Sequence, residues 1–254
     1  MIGYLILVPK LLLFLAHLIF GLSLACLLIL ALGPRWYMKP LGGVVKTGWL
    51  RILAFILNLK ITRSGTSLDS AVVFVSNHIS WLDVIALGCE RNCVFVAKNS
   101  VQHWPLIGIT AKLSGTLFIN RKDKKDVVKT LARADKILEN NISLAFFPEA
   151  TTTSGKIIKP FRTSLYQTAI HSGSNVQAIG IRYQSILGKE SPAPYIGDET
   201  FAAHLLKVLK TPRIEVDLSY CEPVVVNNNH DRKQLAETTQ TQVAEILMLP
   251  NTGL

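Results

Sequence analysis

The sequence predicts an α/β protein with a mostly parallel central sheet flanked by helices, preceded by an N-terminal hydrophobic two-helix membrane-anchoring segment. Two observations predict this architecture. Residues 1–62 are dominated by two long apolar runs, whereas the rest of the chain alternates short apolar runs with longer amphipathic ones. Such alternation is typical of parallel strands that are joined by helices. We therefore divide the chain into an anchoring segment, residues 1–62, and a folded domain, residues 63–254.

The first apolar run, residues 11–33, has 23 residues without a formal charge. As a helix it would be about 34 Å long, which is enough to cross the hydrocarbon core of a bilayer. A signal peptide is the alternative, but its apolar region is normally only about 7–15 residues long. We therefore predict a retained membrane helix.

The second apolar run, residues 44–61, has a narrow polar stripe formed by Thr47, Arg51 and Asn58 at helical spacing. Such a helix can lie in the membrane interface, or it can pair with the first helix as a hairpin that does not fully cross. The sequence leaves both arrangements open. The polar segment 63–70 is the predicted linker.

Six strands and six helices are predicted beyond the linker. The strands are residues 71–76, 93–98, 116–120, 143–147, 176–182 and 213–220. The helices are residues 81–89, 104–113, 124–139, 162–172, 199–210 and 231–247.

The composition favours membrane association. Hydrophobic residues make up 49% of the chain and charged residues 17%, compared with roughly 25% charged in average soluble domains. The net charge is +10, and residues 1–63 carry seven Lys or Arg and no Asp or Glu. Basic residues between apolar stretches suit an anionic membrane surface. Because this basic excess follows the first run, we place the folded domain on the cytoplasmic side of the inner (cytoplasmic) membrane.

Two other classes of partner are disfavoured. Nucleic acid is the rival partner for a basic protein, but the sequence has no nucleic-acid-binding motif and no gathered basic patch. Of the four cysteines, Cys89 and Cys93 are separated by three residues, without a second pair to complete a zinc site. We predict four reduced thiols, no metal site and no cofactor.

The segment SNHISWLD, residues 76–83, contains the first candidate site residues. Asn77 and His78 end a predicted strand, where open α/β sheets place their binding sites. If His78 lies in the turn before a helix, Asp83 in the first helical turn can reach back to the imidazole. A carboxylate that holds a histidine in this way makes it an oriented general base. Because the chain has no G-x-S-x-G motif, such a base would activate a hydroxyl of the substrate. Taken alone, the pair could equally be structural.

Three further segments place polar groups after predicted strands or before predicted helices. GTLFINR, residues 115–121, ends a strand with Arg121, and FFPEATTTSG, residues 146–155, ends one with Pro-Glu and a Thr cluster. Hydroxyls and backbone amides in such positions can hold an anion. KPFRTS, residues 159–164, adds Arg162 before a helix.

In this order and spacing, the segments resemble the glycerolipid acyltransferase family, which includes the 1-acylglycerol-3-phosphate acyltransferases. The first family block, N-H-x4-D, is matched by Asn77, His78 and Asp83. The second, G-x-x-F-x-x-R, is matched by Gly115, Phe118 and Arg121. The third, F-P-E-G-T, reads Phe147, Pro148, Glu149, Ala150 and Thr151 here. The resemblance covers roughly residues 60–225.

The resemblance implies that residues 63–254 form an acyltransferase catalytic domain. It would transfer a fatty acyl group from acyl-CoA or acyl-carrier protein to the free hydroxyl of a lysophospholipid in a membrane, without an acyl-enzyme. His78 would be the general base and Asp83 its orienting carboxylate. Arg121 would bind the acceptor phosphate, because an Arg–phosphate contact is bidentate and charge-assisted. The remaining implied substrate-binding residues are Asn77, Gly115, Phe118, Pro148, Glu149, Ala150 and Thr151.

Two departures from the family pattern bear on the acceptor. Ala150 stands where Gly is usual, and Thr152 stands where Arg is usual. Our hypothesis is that Arg162, a further substrate-binding candidate, partly replaces the missing Arg. Residues 192–210 resemble a subgroup that includes acyltransferases of lyso-ornithine lipids. We therefore predict 1-acylglycerol-3-phosphate as the acceptor, giving phosphatidate, with lyso-ornithine lipid or another lysolipid as the alternative. A hydrolase and a catalytically silent membrane scaffold are the rival classes.

Overall fold

The computed structural model describes residues 2–186, 188–227 and 230–252. Within these ranges the helices are α1 (Ile2–Leu32), α2 (Pro40–Ile56), α3 (Leu82–Glu90), α4 (Ile107–Leu113), α5 (Lys124–Glu139), α6 (Gln167–Ser172), α7 (Phe201–Lys210) and α8 (Arg232–Leu247). The strands are β1 (Leu59–Ser64), β2 (Val73–Ser76), β3 (Cys93–Lys98), β4 (Leu117–Ile119), β5 (Ser143–Phe146), β6 (Val176–Tyr183) and β7 (Ile214–Tyr220).

The strands form one sheet in the order β1-β7-β6-β2-β5-β3-β4. Every neighbouring pair in this order is parallel except β6 with β7. The prediction of an α/β protein with a mostly parallel central sheet flanked by helices is therefore confirmed. In such a sheet the carboxyl ends of the parallel strands lie at one edge, where ligand-binding residues collect.

Each face of the sheet carries its own hydrophobic core, because successive side chains of a strand point to opposite faces. In β2, Phe74 belongs to the first core, whereas Val73 and Val75 belong to the second. Helices α1, α2, α3 and α7 contribute to the first core. Helices α5, α6 and α8 contribute to the second. Helices α1 and α2 therefore lie on the side of the sheet opposite to α5.

The six predicted strands and six predicted helices all have counterparts, with shifted ends. The predicted helix 104–113 begins only at Ile107, because Leu106 has a φ of 59° and precedes α4 as its cap. The predicted helix 162–172 begins with a 3-10 turn, Ser164–Tyr166, before α6. The helix 124–139 has the predicted bounds.

Strand β1 was not predicted, because the sequence assigned its residues to the second apolar run and the linker. Asn58, with a φ of 52°, ends the helical run, and its side-chain amide donates a hydrogen bond to the Pro212 carbonyl at 2.6 Å. The chain then continues as β1 alongside β7. The predicted boundary between residues 62 and 63 therefore falls inside a strand, and the linker starts after Ser64. The division into an anchoring segment and a catalytic domain remains a prediction.

Of the predicted two-helix anchor, the structure shows one apolar N-terminal helix, and the pairing of two anchoring helices is not confirmed. In the described part of the chain, one helix is long and apolar enough to cross a membrane, at residues Ile6–Leu32, with a mean hydropathy of 2.6. Helix α2 has 17 residues and buries Leu50, Leu53 and Ala54 in the first core. The two helices are tied together, because His17 Nε2 lies 3.0 Å from the Trp49 carbonyl and the two rings stack.

Candidate functional site

The predicted site segments follow strands at one edge of the sheet. His78 follows β2, Glu149 follows β5, and Arg121 follows β4. Strands β2 and β5 are direct neighbours, while β4 lies at the outer edge beyond β3. The parallel arrangement therefore gathers at one edge segments that are far apart in the sequence.

His78 and Asp83 form a hydrogen-bonded pair. His78 lies in the turn before α3, and Asp83 is in the first turn of that helix. The His78 Nδ1 and Asp83 Oδ2 atoms are 2.8 Å apart. Because the carboxylate can only accept, Nδ1 donates this hydrogen bond, and in the neutral imidazole the lone pair then lies on Nε2. The His78 side chain is 20% exposed and that of Asp83 is fully buried, so the ring is the accessible member of the pair.

The Asp83 carboxylate is held by three donors besides His78. The backbone amides of Ile79 and Ser80 donate to Oδ2 at 2.8 and 3.0 Å. The hydroxyl of Tyr183, at the end of β6, donates to Oδ1 at 2.8 Å. Burial and the neighbouring Asp83 charge raise the pKa of Tyr183 well above its ordinary value, so its hydroxyl remains a donor. This network fixes the carboxylate in one orientation toward the imidazole.

The His78 ring is also held by the segment after β5. Its imidazole stacks on the Phe147 ring with 4.1 Å between centroids and 13° between planes. The Thr153 backbone amide donates to the His78 carbonyl at 2.8 Å. Tyr183 was not among the predicted site residues, and Thr153 was noted only as part of a Thr cluster, because the contacts of both with the pair join distant parts of the chain.

Two of the predicted substrate-binding residues, Asn77 and Gly115, make structural contacts. The buried Asn77 side chain donates from Nδ2 to the Ile181 carbonyl at 3.0 Å and accepts from the Ile181 amide at 2.8 Å, which joins β2 to β6. Gly115 is buried with a φ of 89°, and a Cβ there would lie 2.4 Å from the Tyr37 ring. A substrate-binding role for Asn77 and Gly115 remains a prediction. Phe118 is half-buried in β4.

Glu149 is a buried carboxyl group beside the pair. It is only 4% exposed, and neither of its carboxyl oxygens has a hydrogen-bond partner among the described residues. Burial raises the pKa of Glu149 to about 8, although the charge of Lys159 acts in the opposite direction. The negative charge of Asp83 adds to the rise. Glu149 is therefore largely protonated at neutral pH.

The residues after Glu149 form a tight turn. Ala150 has a φ of 64°, in the left-handed region that favours glycine, and its amide donates to the Phe147 carbonyl at 3.2 Å. The glycine that is usual at this position is thus explained by the backbone conformation. Thr151 is exposed. Thr152 donates from its hydroxyl to the Tyr195 carbonyl, which ties the turn to the segment before α7.

Trp81, inside the first sequence block, connects the turn that carries His78 to the segment 193–204. Its indole Nε1 donates to His204 Nδ1 at 2.9 Å, and His204 Nε2 donates to the Ala193 carbonyl at 3.1 Å. The Tyr195 amide in turn donates to the Ile79 carbonyl at 3.0 Å. The segment 193–204 therefore braces the turn that carries His78.

Arg121 and Arg162 are neighbouring cations, and neither has a counter-ion among the described residues. Burial lowers the pKa of Arg121, and the positive charge of Arg162 adds to the effect. Neither guanidinium has an ion pair or hydrogen bond within the ranges that the structure describes. The Arg162 backbone amide donates to the Pro148 carbonyl at 3.0 Å, which connects this cation to the segment after β5. Two adjacent cations of this kind suit an anionic group such as a phosphate.

Metal ligands do not form a cluster in the described ranges, where no group of three or more His, Cys, Asp or Glu side chains is placed to hold an ion. The four cysteines are free thiols. The chemistry available at this edge of the sheet is therefore that of an oriented histidine, a neutral carboxyl group and two cations.

Comparisons with known proteins point to one family. A family profile described as Acyltransferase matches residues 58–182. The chain is 33% identical to the lyso-ornithine lipid O-acyltransferase of Pseudomonas aeruginosa, over 83% of this chain and 81% of that protein. It is 26% identical to the 1-acyl-sn-glycerol-3-phosphate acyltransferase of Neisseria gonorrhoeae, over 80% of each.

A solved structure shares the fold. The crystal structure of the 1-acyl-sn-glycerophosphate (LPA) acyltransferase PlsC from Thermotoga maritima superimposes with a TM-score of 0.63, covering 96% of this chain and 95% of that one. The two sequences are 18% identical over this match. The sheet and its surrounding helices therefore have a close architectural parallel in a known protein.

Proposed function

The chain belongs to the acyltransferase family, and we propose that it transfers a fatty acyl group from an acyl thioester to the free hydroxyl of a lysophospholipid. The observation that carries the proposal is the His78–Asp83 pair, with 2.8 Å between Nδ1 and Oδ2, at the carboxyl edge of the sheet. The names of the relatives support the acceptor class, since one acts on 1-acyl-sn-glycerol-3-phosphate and the other on lyso-ornithine lipid.

In the proposed mechanism, His78 Nε2 removes the proton from the acceptor hydroxyl. The resulting oxygen nucleophile attacks the thioester carbonyl carbon, and the C–S bond breaks as the new ester C–O bond forms. The imidazolium then gives its proton to the leaving thiolate, which restores the base. Asp83 keeps the proton on Nδ1 and stabilises the imidazolium as it forms.

Direct transfer without an acyl-enzyme is the form of the reaction that fits the site. Ser76 and Ser80 are the serines nearest to His78 in the sequence, and both are buried. The Ser76 hydroxyl donates to Asn77 Oδ1, and the Ser80 hydroxyl has no hydrogen-bond partner among the described residues. A nucleophilic serine needs a hydrogen bond to its base and access to the substrate. The acceptor hydroxyl therefore takes the role of nucleophile. The donor is acyl-CoA or an acyl-carrier protein.

The first acceptor that we propose is 1-acylglycerol-3-phosphate, which gives phosphatidate. Arg121 and Arg162 would bind its phosphate, because both guanidinium groups lack a counter-ion in the described structure. Neutral Glu149 is compatible with an anion nearby, whereas an ionised carboxylate would repel it. Pro148, Ala150 and Thr151 form the turn beside these groups.

Lyso-ornithine lipid is the second candidate acceptor. The relative from Pseudomonas aeruginosa that carries this name is 33% identical, compared with 26% for the 1-acyl-sn-glycerol-3-phosphate acyltransferase from Neisseria gonorrhoeae. In addition, Thr152 uses its hydroxyl to bind the Tyr195 carbonyl at the position where the family pattern has an Arg. The mechanism at His78 would be the same for both acceptors.

An acceptor panel tests the proposal. Purified protein would be given one acyl-CoA and, in turn, lysophosphatidate, lyso-ornithine lipid, lysophosphatidylglycerol or lysophosphatidylethanolamine, and both diacyl lipid and free fatty acid would be measured. We expect diacyl lipid as the product, and His78→Ala should lower its rate about 10²- to 10⁴-fold. Full activity of His78→Ala would refute the base. Release of fatty acid to water as the main reaction would indicate a hydrolase, and inactivity with every acceptor would indicate a scaffold.

The phosphate contacts have a separate test. Arg121→Ala and Arg162→Ala should each raise the KM for lysophosphatidate about 10- to 100-fold, the effect of losing about 1.5–3 kcal/mol from a charged hydrogen bond. The KM for the acyl donor should change much less. Arg232→Ala, at an exposed position on α8, is the matched control. An unchanged acceptor KM in both site variants would exclude them as phosphate ligands.

We further propose that α1 anchors the protein in the inner (cytoplasmic) membrane, with the catalytic domain on the cytoplasmic side. Apolar side chains of this helix are exposed, including Leu12, Ile19, Phe20, Leu27 and Leu30. Only contact with lipid or another apolar surface removes so much apolar area from water. The anchoring segment would then end at Asn58, before β1, with the membrane itself supplying the lysolipid acceptor.

A further inference from the structure

Helix α5 presents a strongly basic face to solvent. Lys125, Lys129, Arg133 and Lys136 are exposed and recur at intervals of three and four residues, which places them on one side of the helix. Two more exposed lysines, Lys122 and Lys124, lie at its start. We call these six residues the basic face. The sequence showed no gathered patch, because the helical repeat brings together cations that are separated along the chain.

The cations of the basic face have no partners in the described structure. None of the six side chains forms an ion pair or a hydrogen bond in the ranges covered. The acidic groups nearby are engaged elsewhere. Asp123 caps α5, Asp126 accepts from the Asn120 amide at 2.6 Å, and Asp135 lies 3.3 Å from His171. Glu139, at the end of the helix, is the remaining exposed carboxylate on α5.

The position of the basic face separates it from the membrane anchor. Helix α5 packs on the second core, on the side of the sheet opposite to α1 and α2. The basic face therefore points away from the exposed apolar surface of α1. It also begins directly after Arg121, so it leads to the candidate phosphate site. Val128 is 65% exposed within it and adds a small apolar contact point.

We propose that the basic face docks an acidic acyl-carrier protein, which delivers its acyl thioester to His78. This proposal rests on the proposed function and specifies the donor. Charge complementarity favours an acidic protein, since opposite potentials steer association and fix the orientation of two partners. A helix of 16 residues is about 24 Å long, and its convex face suits a protein surface. A lipid surface is disfavoured because the anchor lies on the other side of the sheet.

The test compares two donors that carry the same palmitoyl group. The variant Lys125→Glu/Lys129→Glu would be assayed with palmitoyl-CoA and with an acidic palmitoyl-acyl-carrier protein, at saturating lysolipid. The control Arg232→Glu/Lys233→Glu reverses the same number of charges at exposed positions on α8. We expect kcat/KM for the carrier-protein donor to fall about tenfold or more in the first variant only, because electrostatic steering changes association rates by about 10- to 10³-fold. With palmitoyl-CoA both variants should match the unmodified protein.

Salt dependence gives a second readout. The difference between the α5 variant and the unmodified protein should shrink as the ionic strength rises from about 0.01 M to about 0.15 M, because the Debye length falls from about 30 Å to about 8 Å. Circular dichroism and thermal unfolding would verify that both variants are folded.

The outcomes distinguish a failure of the docking proposal from a failure of the proposed acyl transfer. A loss confined to the carrier-protein donor supports docking on α5. Equal losses with both donors would overturn the docking proposal, because they would indicate a membrane contact of α5 or a general defect of the variant. Vesicle sedimentation would identify a membrane contact. The docking proposal would also be overturned if the α5 variant kept its kcat/KM for the carrier-protein donor. The same holds if the unmodified protein were active with palmitoyl-CoA but not with the carrier protein. In both cases the proposed acyl transfer would stand. Inactivity with both donors would refute the proposed function itself.

Discussion

The Tyr183 hydroxyl donates a hydrogen bond of 2.8 Å to Oδ1 of Asp83, a hundred residues earlier in the chain. This contact joins the end of β6 to the first turn of α3. It satisfies the carboxylate oxygen that faces away from His78. The orientation of the candidate base therefore depends on a residue that lies outside every recognised sequence block.

We predict that Tyr183→Phe lowers both stability and turnover. Without the hydroxyl, Oδ1 of a fully buried carboxylate has no partner, which costs about 1–3 kcal/mol of unfolding free energy. The loosened Asp83 should reduce kcat several-fold with little change in KM, measured by steady-state kinetics. Tyr166→Phe is the control, since it removes the 2.6 Å hydrogen bond to Thr239 in the second core. The control should lose stability without losing kcat, and equal kcat losses in both variants would contradict a positioning role.

Asp83→Asn should retain the geometry and lose the charge. The amide oxygen can accept from His78, Ile79 and Ser80, as Oδ2 does now, while its NH₂ group donates to the Tyr183 oxygen. Without the negative charge, the imidazolium that forms during the reaction is less stable, so kcat should fall about 10²-fold or more. The KM values should remain close to those of the unmodified protein. Activity within twofold would show that the carboxylate only supports the fold.

Glu149 should make stability dependent on pH. Because its pKa is raised from 4.5 to about 8 in the folded protein, the folded state holds a proton that the unfolded state has released over this interval. The unfolding free energy should therefore decrease from pH 4.5 towards about 8, by up to about 1.4 kcal/mol per pH unit, and then level off. Glu149→Gln should remove this decrease. Denaturant titrations across the interval would measure it, and parallel curves for the two proteins would contradict a buried, protonated Glu149.

Ala150→Gly should increase stability. The left-handed backbone at φ 64° costs a residue with a Cβ about 1–2 kcal/mol. Glycine removes this cost, but its more flexible unfolded chain offsets about 0.4–1 kcal/mol of the gain. We expect a gain of up to about 1 kcal/mol in denaturant unfolding. Ala132→Gly, on the exposed side of α5, should instead destabilise by about 1 kcal/mol. A loss of stability in Ala150→Gly would show that the methyl group has packing contacts that outweigh the strain.

The part of the site that was predictable is the part that is local in sequence. His78 and Asp83 are five residues apart, and a turn before a helix is sufficient to bring them together. The contacts of Tyr183 and Thr153 depend on how distant strands are ordered in the sheet, which a single sequence does not state. The contact between Asn77 and Ile181 was not predictable for the same reason, because Ile181 lies on β6.

The fold was predicted wherever apolar periodicity marked an element on its own. The strands β2, β3 and β5 are buried runs between polar segments, and α5 has a clear apolar stripe. Strand β1 was missed because its residues continue an apolar helical run and only the backbone at Asn58 separates the two. Its inward-facing residue Leu59 could not be distinguished from a membrane-facing one by hydrophobicity alone.

The pairing of β1 with β7 limits where a truncated fragment of the enzyme can begin. A fragment that starts at residue 63 would delete Leu59, Lys60, Ile61 and Thr62, the partners of Ile214 to Asp217. The open edge of β7 would then be available for pairing with other molecules, a known route to aggregation. A fragment that starts at Asn58 would keep that edge covered, but it would uncover the part of the first core where Leu50, Leu53 and Ala54 of α2 pack.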